Sequence, residues 1–595
     1  MGSSGFLHDP AGRARAVGPA APGLGRPILT TAPRGRGVRM AAAPRGRNAL
    51  RRMYVFEVVI ALLLAGAGLT ALSRRLGTPY PAMVALAGAC LALVPGTPTL
   101  VLDPELALTL FVAPVLLDAA FDASPRDLRA NWRTVAGLAV GAVALTVVVV
   151  AVVVRLLVPD MPWAVAVALG AIVAPPDAAA ATAVLRQLRP PHRLLVILEG
   201  ESLFNDASAL LTYRLAVGVT LAGALSPASV APLLLVVTAG SVVLGFVLSR
   251  VVMQLTARIH DVAIAVVVQF CGTFAVWILA ERLHLSGILT VVVFAMASAR
   301  RAADVIPARV RIPSYAVWEF AVFVLNVLAF ILVGFQLKAI LGRIDTPTLI
   351  GYGGIALAVC LATILSRIAW VSGAAAFSRW LWRPAREGGE GRRDAVGLSK
   401  RAAAVVGWCG MRGIVTLATA LALPAGGGGG PAFPYRDLIL FTAFSVVLGT
   451  LVVQGVTLRP LMNVLQLRDD GSVEREVRLA RVETLRAGLS ATAEVPGDDM
   501  AELLRRRYEV LLRRAEAALA GAAAAQSGAD PGDGRAFDGD ATIARAATSA
   551  ERQRLLALRA DGTIGDAAFQ RIEQELDWEE LDLQQLGRGD EPPHG

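Results

Sequence analysis

Residues 162–186 read PWAVAVALGAIVAPPDAAAATAVLR, an apolar stretch interrupted near its middle by two prolines and an aspartate. About 20 mostly apolar residues are needed to cross the hydrocarbon core of a bilayer, so this stretch is long enough to span a membrane. Pro175 and Pro176 remove backbone donors and disfavour helical geometry just upstream. The sequence therefore predicts a transmembrane helix that is broken next to Asp177.

Apolar stretches of similar length recur along the 595 residues, of which 55% are hydrophobic and 17% charged. Backbone groups in lipid must be paired within the segment, which long helices achieve, and the two-residue alternation of a membrane barrel does not occur. The sequence therefore predicts an all-α polytopic membrane protein with about thirteen spans. They are placed at 54–73, 79–94, 104–121, 134–154, 162–186, 194–222, 230–249, 262–280, 285–299, 316–337, 348–378, 402–424 and 437–463.

The charges in the connecting loops indicate an orientation. With thirteen spans, one set of loops carries 21 basic residues and the opposite set carries five. The positive-inside rule places the arginine-rich loops and the C-terminal tail in the cytoplasm of a cell (plasma or inner) membrane. The net charge of +10 then reflects topology and an arginine-rich N-terminus. It requires no nucleic-acid partner.

The two ends of the chain differ from the middle. Residues 1–52 are rich in Arg, Gly, Pro and Ala and carry one acidic residue, so we expect disorder, with translation starting at Met40 or Met53 as an alternative. The membrane domain is placed at 54–463 and a cytosolic helical tail at 464–595. Helical spacing in the tail covers 473–490, 500–524 and 541–586, around a turn-rich linker at 525–540.

Ionisable residues within the spans are the candidate functional groups. An ionisable group at the bilayer centre costs roughly 2.5–3.5 kcal/mol on insertion scales, so such residues mark functional sites. The sixth span contains LEGESLFNDASALLTYRL (198–215), the twelfth contains GWCGMRGIVTLATALALP (407–424) and the third contains FVAPVLLDAAF (111–121). Three glycines around Arg412 indicate a second place where a helix breaks. One broken helix in each half of the membrane domain suits the inverted-repeat design of secondary transporters.

The spacing in the sixth span indicates a cation site. Ser202 and Asp206 are four residues apart and share one helix face. Sodium is a hard cation that prefers oxygen ligands, which these two side chains and freed carbonyls near Pro176 would supply. A carboxylate that holds either a proton or a monovalent cation becomes an exchanger once access alternates between the two sides of the membrane.

Two of these segments also resemble a known family. LEGESLFNDASAL (198–210) and GWCGMRGIVTLATALALP (407–424) are similar to signature segments of the monovalent cation:proton antiporters, in the branch of bacterial NhaP-type antiporters and animal sodium/hydrogen exchangers. RRLGTPYPAMVALAG (74–88) and APVLLDAAFDASPRDLRANW (113–132) resemble the second and third spans of that family. The resemblance covers roughly 54–463. It implies a thirteen-helix inverted-repeat fold, a homodimer and elevator-like movement of an ion-carrying core.

The resemblance implies a role for each site residue. Asp206 matches the carboxylate shared by cation and proton, and Ser202 matches a cation ligand. Asn205, directly before Asp206, is associated with electroneutral exchange. Glu201 and Arg412 match a buried ion pair that links two core helices.

Two positions depart from the family pattern. The motif in the fifth span is commonly Thr-Asp-Pro, whereas here it is Pro176-Asp177-Ala178, so the threonine hydroxyl is missing and the proline lies on the other side of the aspartate. Asp118 falls where many members have a glutamate that helps to coordinate the ion, and its side chain is one methylene shorter. We include Asp177 and Asp118 among the predicted ion-binding residues.

The sequence thus predicts a sodium/proton antiporter whose partners are the lipid bilayer, sodium and protons, with no cofactor. A potassium/proton antiporter of the same fold is the alternative. An intramembrane aspartyl protease is disfavoured because such enzymes resemble a GxGD signature, where this chain has APPD and LFND. A membrane sensor that signals through its tail is disfavoured because the tail lacks recognisable catalytic motifs.

Overall fold

The computed structural model describes most of the membrane domain and part of the tail. The described residues are 45–95, 104–188, 190–222, 227–259, 261–342, 344–381, 398–426, 432–467, 469, 471–493, 499–527, 550–551, 553–558, 572, 576 and 578.

Helices account for the regular structure of these residues. They are α1 (Arg45–Leu76), α2 (Tyr80–Leu93), α3 (Pro104–Ala107), α4 (Ala113–Asp122), α5 (Pro125–Ala136), α6 (Val143–Leu157), α7 (Trp163–Val173), α8 (Ala178–Leu188), α9 (His192–Ala222), α10 (Pro227–Ala257), α11 (Val262–Arg282), α12 (Gly287–Val305), α13 (Ala308–Leu341), α14 (Thr346–Leu381), α15 (Lys400–Trp408), α16 (Ile414–Leu421), α17 (Arg436–Leu465), α18 (Ser472–Ala493) and α19 (Asp499–Ser527). Single π-helical turns, Leu108–Val112 and Gly137–Ala142, join α3 to α4 and α5 to α6.

The predicted all-α membrane architecture is confirmed. Each of the thirteen predicted spans falls on helical backbone, and among the described residues seven helices are long and apolar enough to cross a membrane on their own. The count of thirteen stays a prediction, because several of the other spans are short or interrupted helices. Residues 45–52, which we expected to be disordered, belong to α1, which begins just after Pro44. Residues 1–44 lie outside the described residues.

Both predicted helix breaks are present. α7 and α8 flank the non-helical residues 174–177, which read APPD. α15 and α16 flank residues 409–413, which read CGMRG. Each pair of half-helices therefore occupies one predicted span, with its irregular backbone in the middle. Irregular backbone at this depth needs partners from the rest of the protein, because lipid offers none.

Helices α2 and α13 cross at a point where two glycines meet. A Cβ built on Gly88 would lie 2.7 Å from the carbonyl oxygen of Ile331, and a Cβ on Gly334 would collide with the backbone of Gly88 and Ala89. Small residues let membrane helices approach until their backbones touch, which gains van der Waals contact. This crossing packs α2 against α13. Tyr80, in the first turn of α2, has Asp177 at the break between α7 and α8 as an electrostatic neighbour.

The tail helices contact each other and the membrane domain through exposed ion pairs. Arg486 of α18 binds Glu516 of α19 at 2.9 Å. Arg126, in the first turn of α5, binds Glu476 of α18 at 3.2 Å. The predicted helices at 473–490 and 500–524 coincide with α18 and α19. Most of the predicted helix at 541–586 and of the predicted linker at 525–540 lies outside the described residues.

The glycine crossing leads to a stability prediction. We expect Gly88→Ala and Gly334→Ala each to lower the thermal midpoint of the purified protein, because overpacking costs about 1–3 kcal/mol. Gly354→Ala is the matched control, since a Cβ there meets nothing within 4 Å. Alanine is about 1 kcal/mol better than glycine inside a helix, so the control should melt at or above the wild-type midpoint. Wild-type melting of both crossing variants would contradict the close approach.

Candidate functional site

The two broken helices cross, and a backbone hydrogen bond joins their unwound segments. The backbone N–H of Asp177 donates to the carbonyl oxygen of Met411 at 2.7 Å. The backbone N–H of Arg412 donates to Oγ1 of Thr450 on α17 at 3.0 Å. A backbone hydrogen bond from one break to the other therefore holds the crossing together, and α17 supports it from one side.

The guanidinium of Arg412 binds the carboxyl ends of two half-helices. It donates to the carbonyl oxygens of Val173 at 2.8 Å and Ala174 at 3.1 Å, where α7 ends, and to that of Gly410, just after α15. Helix carboxyl ends carry partial negative charge and unpaired carbonyls. A fully buried arginine at this position therefore neutralises two helix ends at once.

Asp177 occupies the corresponding position at the amino ends of the other two half-helices. Its Oδ1 accepts a hydrogen bond from the N–H of Ala179 at 2.9 Å, within the first turn of α8. A Cβ on Gly413, which directly precedes α16, would collide with this carboxylate. Amino ends of helices carry partial positive charge and favour anions. Asp177 and Arg412 thus balance the four helix ends that the two breaks create.

Helix α9 places its polar residues against this crossing. Asn205 is fully buried, and its Nδ2 donates to the carbonyl oxygen of Pro176 at 3.1 Å. Within the described part of the chain, no hydrogen-bond partner reaches Oδ1 of Asn205. Asp206 is 5% exposed and has Asp177 as an electrostatic neighbour. Ser202, half-buried, lies one turn before Asp206 on the same helix.

The buried ion pair forms with a different arginine from the predicted one. Both carboxylate oxygens of Glu201 are bound by Arg367 of α14, through Nη1 to Oε1 and through Nη2 to Oε2 at 2.8 Å. The Nε of Arg367 also donates to the carbonyl oxygen of Val406 in α15 at 3.2 Å. The prediction that Arg412 is the partner of Glu201 is wrong, because the carbonyls at the breaks take the Arg412 guanidinium. Arg412 still lies close by, since all three charged groups line one small void.

Asp118 is not part of this arrangement. It lies on α4 and lines a separate cavity between α4, α10, α11, α12 and α13. Its electrostatic neighbours are Asp122, Arg186 and Glu319. The structure therefore brings together Glu201, Ser202, Asn205, Asp206, Asp177 and Arg412 from the predicted set and leaves Asp118 outside it.

Sequence reasoning missed two members of the site, Arg367 and Thr450. Arg367 carried a usable signal, since a buried arginine in an apolar span needs a carboxylate or several carbonyl oxygens as partners. Two arginines competed for Glu201, however, and spacing alone does not decide between them. Thr450 carried no signal, because a threonine in an apolar helix commonly bonds its own backbone, as its Oγ1 also does here to Val446 at 2.7 Å.

The charged groups at the crossing do not balance in number. Three carboxylates belong to it, those of Glu201, Asp177 and Asp206, and two guanidinium groups, those of Arg367 and Arg412. With all five groups ionised, one negative charge is left over at a site where Glu201, Asp206, Arg367 and Arg412 are buried. A multi-pass membrane protein whose broken helices cross beside an uncompensated buried carboxylate is built as a secondary transporter of cations.

Comparison with known proteins gives the family. The model of the transmembrane sodium/hydrogen exchanger domain matches residues 59–464. The chain is also 31% identical over 473 residues to an uncharacterised Na⁺/H⁺ exchanger of Mycobacterium bovis, covering 77% of this chain and 84% of that one. This chain therefore belongs to the sodium/hydrogen exchanger family of monovalent cation:proton antiporters. It is a transporter and not an enzyme.

Other relatives extend the comparison. The chain is 29% identical to a sodium, potassium, lithium and rubidium/H⁺ antiporter of Bacillus pumilus, covering 76% of this chain and 68% of the relative. It is 28% identical to the Na⁺/H⁺ antiporter ApNhaP of Aphanothece halophytica, covering 78% and 85%. Its fold matches that of the sodium proton antiporter MjNhaP1 from Methanocaldococcus jannaschii with a TM-score of 0.53 and 18% identity, over 69% of this chain and 99% of that one.

The ion pair gives a prediction for double-mutant analysis. Glu201→Gln or Arg367→Met alone leaves a buried charge without its partner, which costs about 3–5 kcal/mol. We expect each single variant to melt early and the double variant to lose less than the sum of the two. The matched cycle combines Glu201→Gln with Arg412→Met and should show weaker coupling. Additive losses for Glu201 and Arg367, with strong coupling to Arg412, would contradict the observed pairing.

Proposed function

We propose that this chain exchanges sodium for protons across a cell membrane, with both ions competing for the carboxylate of Asp206. The charge imbalance at the crossing supports this assignment. One sodium ion or one proton at Asp206 brings the buried groups to neutrality, and an empty, ionised Asp206 leaves an unpaired charge in a poorly solvated site. Desolvation therefore favours the two loaded forms over the empty one.

The other two carboxylates are occupied, which supports Asp206 as the exchanging group. Glu201 is held by both nitrogens of the Arg367 fork, a strong geometry for a buried pair. Asp177 accepts a hydrogen bond from the amino end of α8 at Ala179, and its carboxylate lies against Gly413, just before α16. Proton or cation exchange at either position would disrupt the helices that form the site. We propose that Asp177 acts on the cation through its charge, although it was predicted to be a ligand.

The cation ligands are proposed to come from one face of α9 and the turn beside it. Asp206 offers carboxylate oxygens, and Ser202 offers a hydroxyl one turn earlier. Oδ1 of Asn205 is buried beside them without a partner among the described residues, and its Nδ2 is anchored to Pro176. These are the hard oxygen donors that an alkali cation requires. We do not propose Asp118 as a ligand, because it lines a different cavity.

The exchange is proposed to be electroneutral, one cation against one proton. Asn205 is uncharged, so Asp206 has no acidic neighbour on α9 at the adjacent position. One carboxylate carries one proton or one monovalent cation, and the crossing then has the same net charge in both transport directions. Alternating access by movement of the crossing, a homodimeric assembly and a cytoplasmic tail complete the proposal.

A potassium/proton antiporter is the second candidate for the same site. Two Bacillus relatives are named as sodium, potassium, lithium and rubidium/H⁺ antiporters. All alkali cations carry the same charge, so the charged groups of the site do not distinguish between them. Selectivity must therefore come from the spacing of the oxygen ligands. Comparison of NaCl, KCl and LiCl in the transport assay below separates the two candidates.

The proposed role of Asp206 leads to the main transport prediction. In proteoliposomes containing a pH-sensitive dye, we expect Asp206→Asn to abolish the cation-driven proton flux, because an amide neither releases a proton nor neutralises a cation. The variant should remain monodisperse and melt near or above the wild-type midpoint, since it removes an unpaired buried charge. Asp160→Asn, in an exposed loop, is the matched control and should transport normally. Wild-type exchange by purified Asp206→Asn would exclude Asp206 as the shared carboxylate.

A further inference from the structure

A second cavity lies away from the helix crossing. It has a volume of about 90 Å³ and lies between α4, α10, α11, α12 and α13, near the end of the bundle where α4 finishes and α13 begins. A space of this volume holds several water molecules or part of a small organic molecule. Apart from Asp118, no predicted site residue lines it, so it is unrelated to the proposed sodium site.

The walls of this cavity are mainly apolar and partly aromatic. Phe121, Phe294 and Trp318 contribute rings to its lining. The ring of Trp318 also packs against that of Phe270, with centroids 5.5 Å apart. Binding sites for small molecules are typically apolar and aromatic cavities that contain a few convergent polar groups. The aromatic faces also suit a cation, because their π-electrons attract positive charge.

Two carboxylates converge on this lining. Asp118 and Asp122 are one helical turn apart on α4, and both line the cavity. Asp122 is the last residue of α4, where the helix end adds further negative potential. In the part of the chain that the structure describes, no hydrogen bond or ion pair engages either carboxylate. Arg186, an electrostatic neighbour of both, binds Glu199 at 3.1 Å.

Several further polar residues line the cavity, Gln269 and Arg311 among them. Nε2 of Gln269 is buried and has no hydrogen-bond partner among the described residues. Buried amides are nearly always hydrogen-bonded, and a water molecule in the cavity would satisfy this donor. Arg311 also contributes to the lining, and its Nη1 is directed to the carbonyl oxygen of Ile306 at 3.5 Å.

We propose that this cavity binds an organic ammonium ion with a small aromatic or aliphatic body. The ammonium group would donate to Asp118 and Asp122, and the body would pack on Phe294 and Trp318. A lipid acyl chain fits less well, since it would leave both carboxylates without partners. A bare alkali cation fits less well too, since it would not use the aromatic lining.

The test is a binding measurement on the purified full-length protein. Phenethylammonium chloride is titrated against the wild type by calorimetry and by Trp318 fluorescence, and 2-phenylethanol serves as the uncharged isostere. We expect saturable binding of the ammonium at least tenfold tighter than that of the alcohol. The Trp318→Phe variant should keep the heat of binding and lose most of the fluorescence change. Equal binding of the two compounds by the wild type would overturn the proposal.

Substitutions of the two aspartates test whether the ammonium group contacts them. Asp118→Asn and Asp122→Asn should each weaken ammonium binding by roughly tenfold, which corresponds to about 1.4 kcal/mol, and leave alcohol binding unchanged. Asp160→Asn is the matched control and should bind as the wild type does. Unchanged ammonium affinity in folded Asp118→Asn, Asp122→Asn and double variants would overturn the proposal. Absence of saturable ammonium binding by the wild type, as an occupying lipid would produce, would also overturn it.

Discussion

Backbone that leaves the helix in the middle of a membrane must find partners inside the protein, and the rest of this structure depends on how that requirement is met. Each break creates one helix carboxyl end with unpaired carbonyl groups and one helix amino end with unpaired N–H groups, in a region where lipid offers no partners. Here the two breaks cross, and the backbone N–H of Asp177 in one break donates a hydrogen bond to the carbonyl oxygen of Met411 in the other. Arg412 binds the carboxyl ends, and Asp177 lies at the amino ends. Both charges therefore stabilise the crossing.

This requirement also explains how the remaining charges are divided. Because Arg412 is committed to backbone carbonyls, Glu201 needs another cation, and Arg367 supplies it from α14. Among the described residues, Asp206 is then the carboxylate at the crossing that has neither an arginine nor a helix amino end as its partner. The proline that precedes Asp177 fits the same scheme. Its carbonyl oxygen accepts the bond from Asn205, and Asp177 keeps its own N–H for Met411. The reversed Pro-Asp-Ala order therefore preserves the crossing without the threonine hydroxyl.

The sequence predicted more of the backbone than of the side-chain contacts, for physical reasons. Membrane-length apolar runs must be helical, and Pro175, Pro176 and the glycines around Arg412 weaken helices locally, so the spans and both breaks were predictable. Asn205 and Asp206 could be placed in the same site because they are neighbours on one predicted helix. Contacts between spans did not follow, because spacing along one helix does not show which neighbour it faces. This is why Arg412 was paired with Glu201 in place of Arg367, and why Asp118 was grouped with a site that it does not reach.

The central claim is that one buried carboxylate holds either a proton or a sodium ion, and proton release on sodium binding tests it most directly. Purified protein in weakly buffered detergent solution, near the pH at which exchange is half-maximal, is mixed with NaCl while a pH dye records proton release. Calorimetry on the same sample counts the sodium bound. The account predicts release that approaches one proton per sodium ion bound in the acidic range, and neither sodium binding nor release in Asp206→Asn. Sodium binding without proton release at any pH, or release of two protons per sodium, would contradict it.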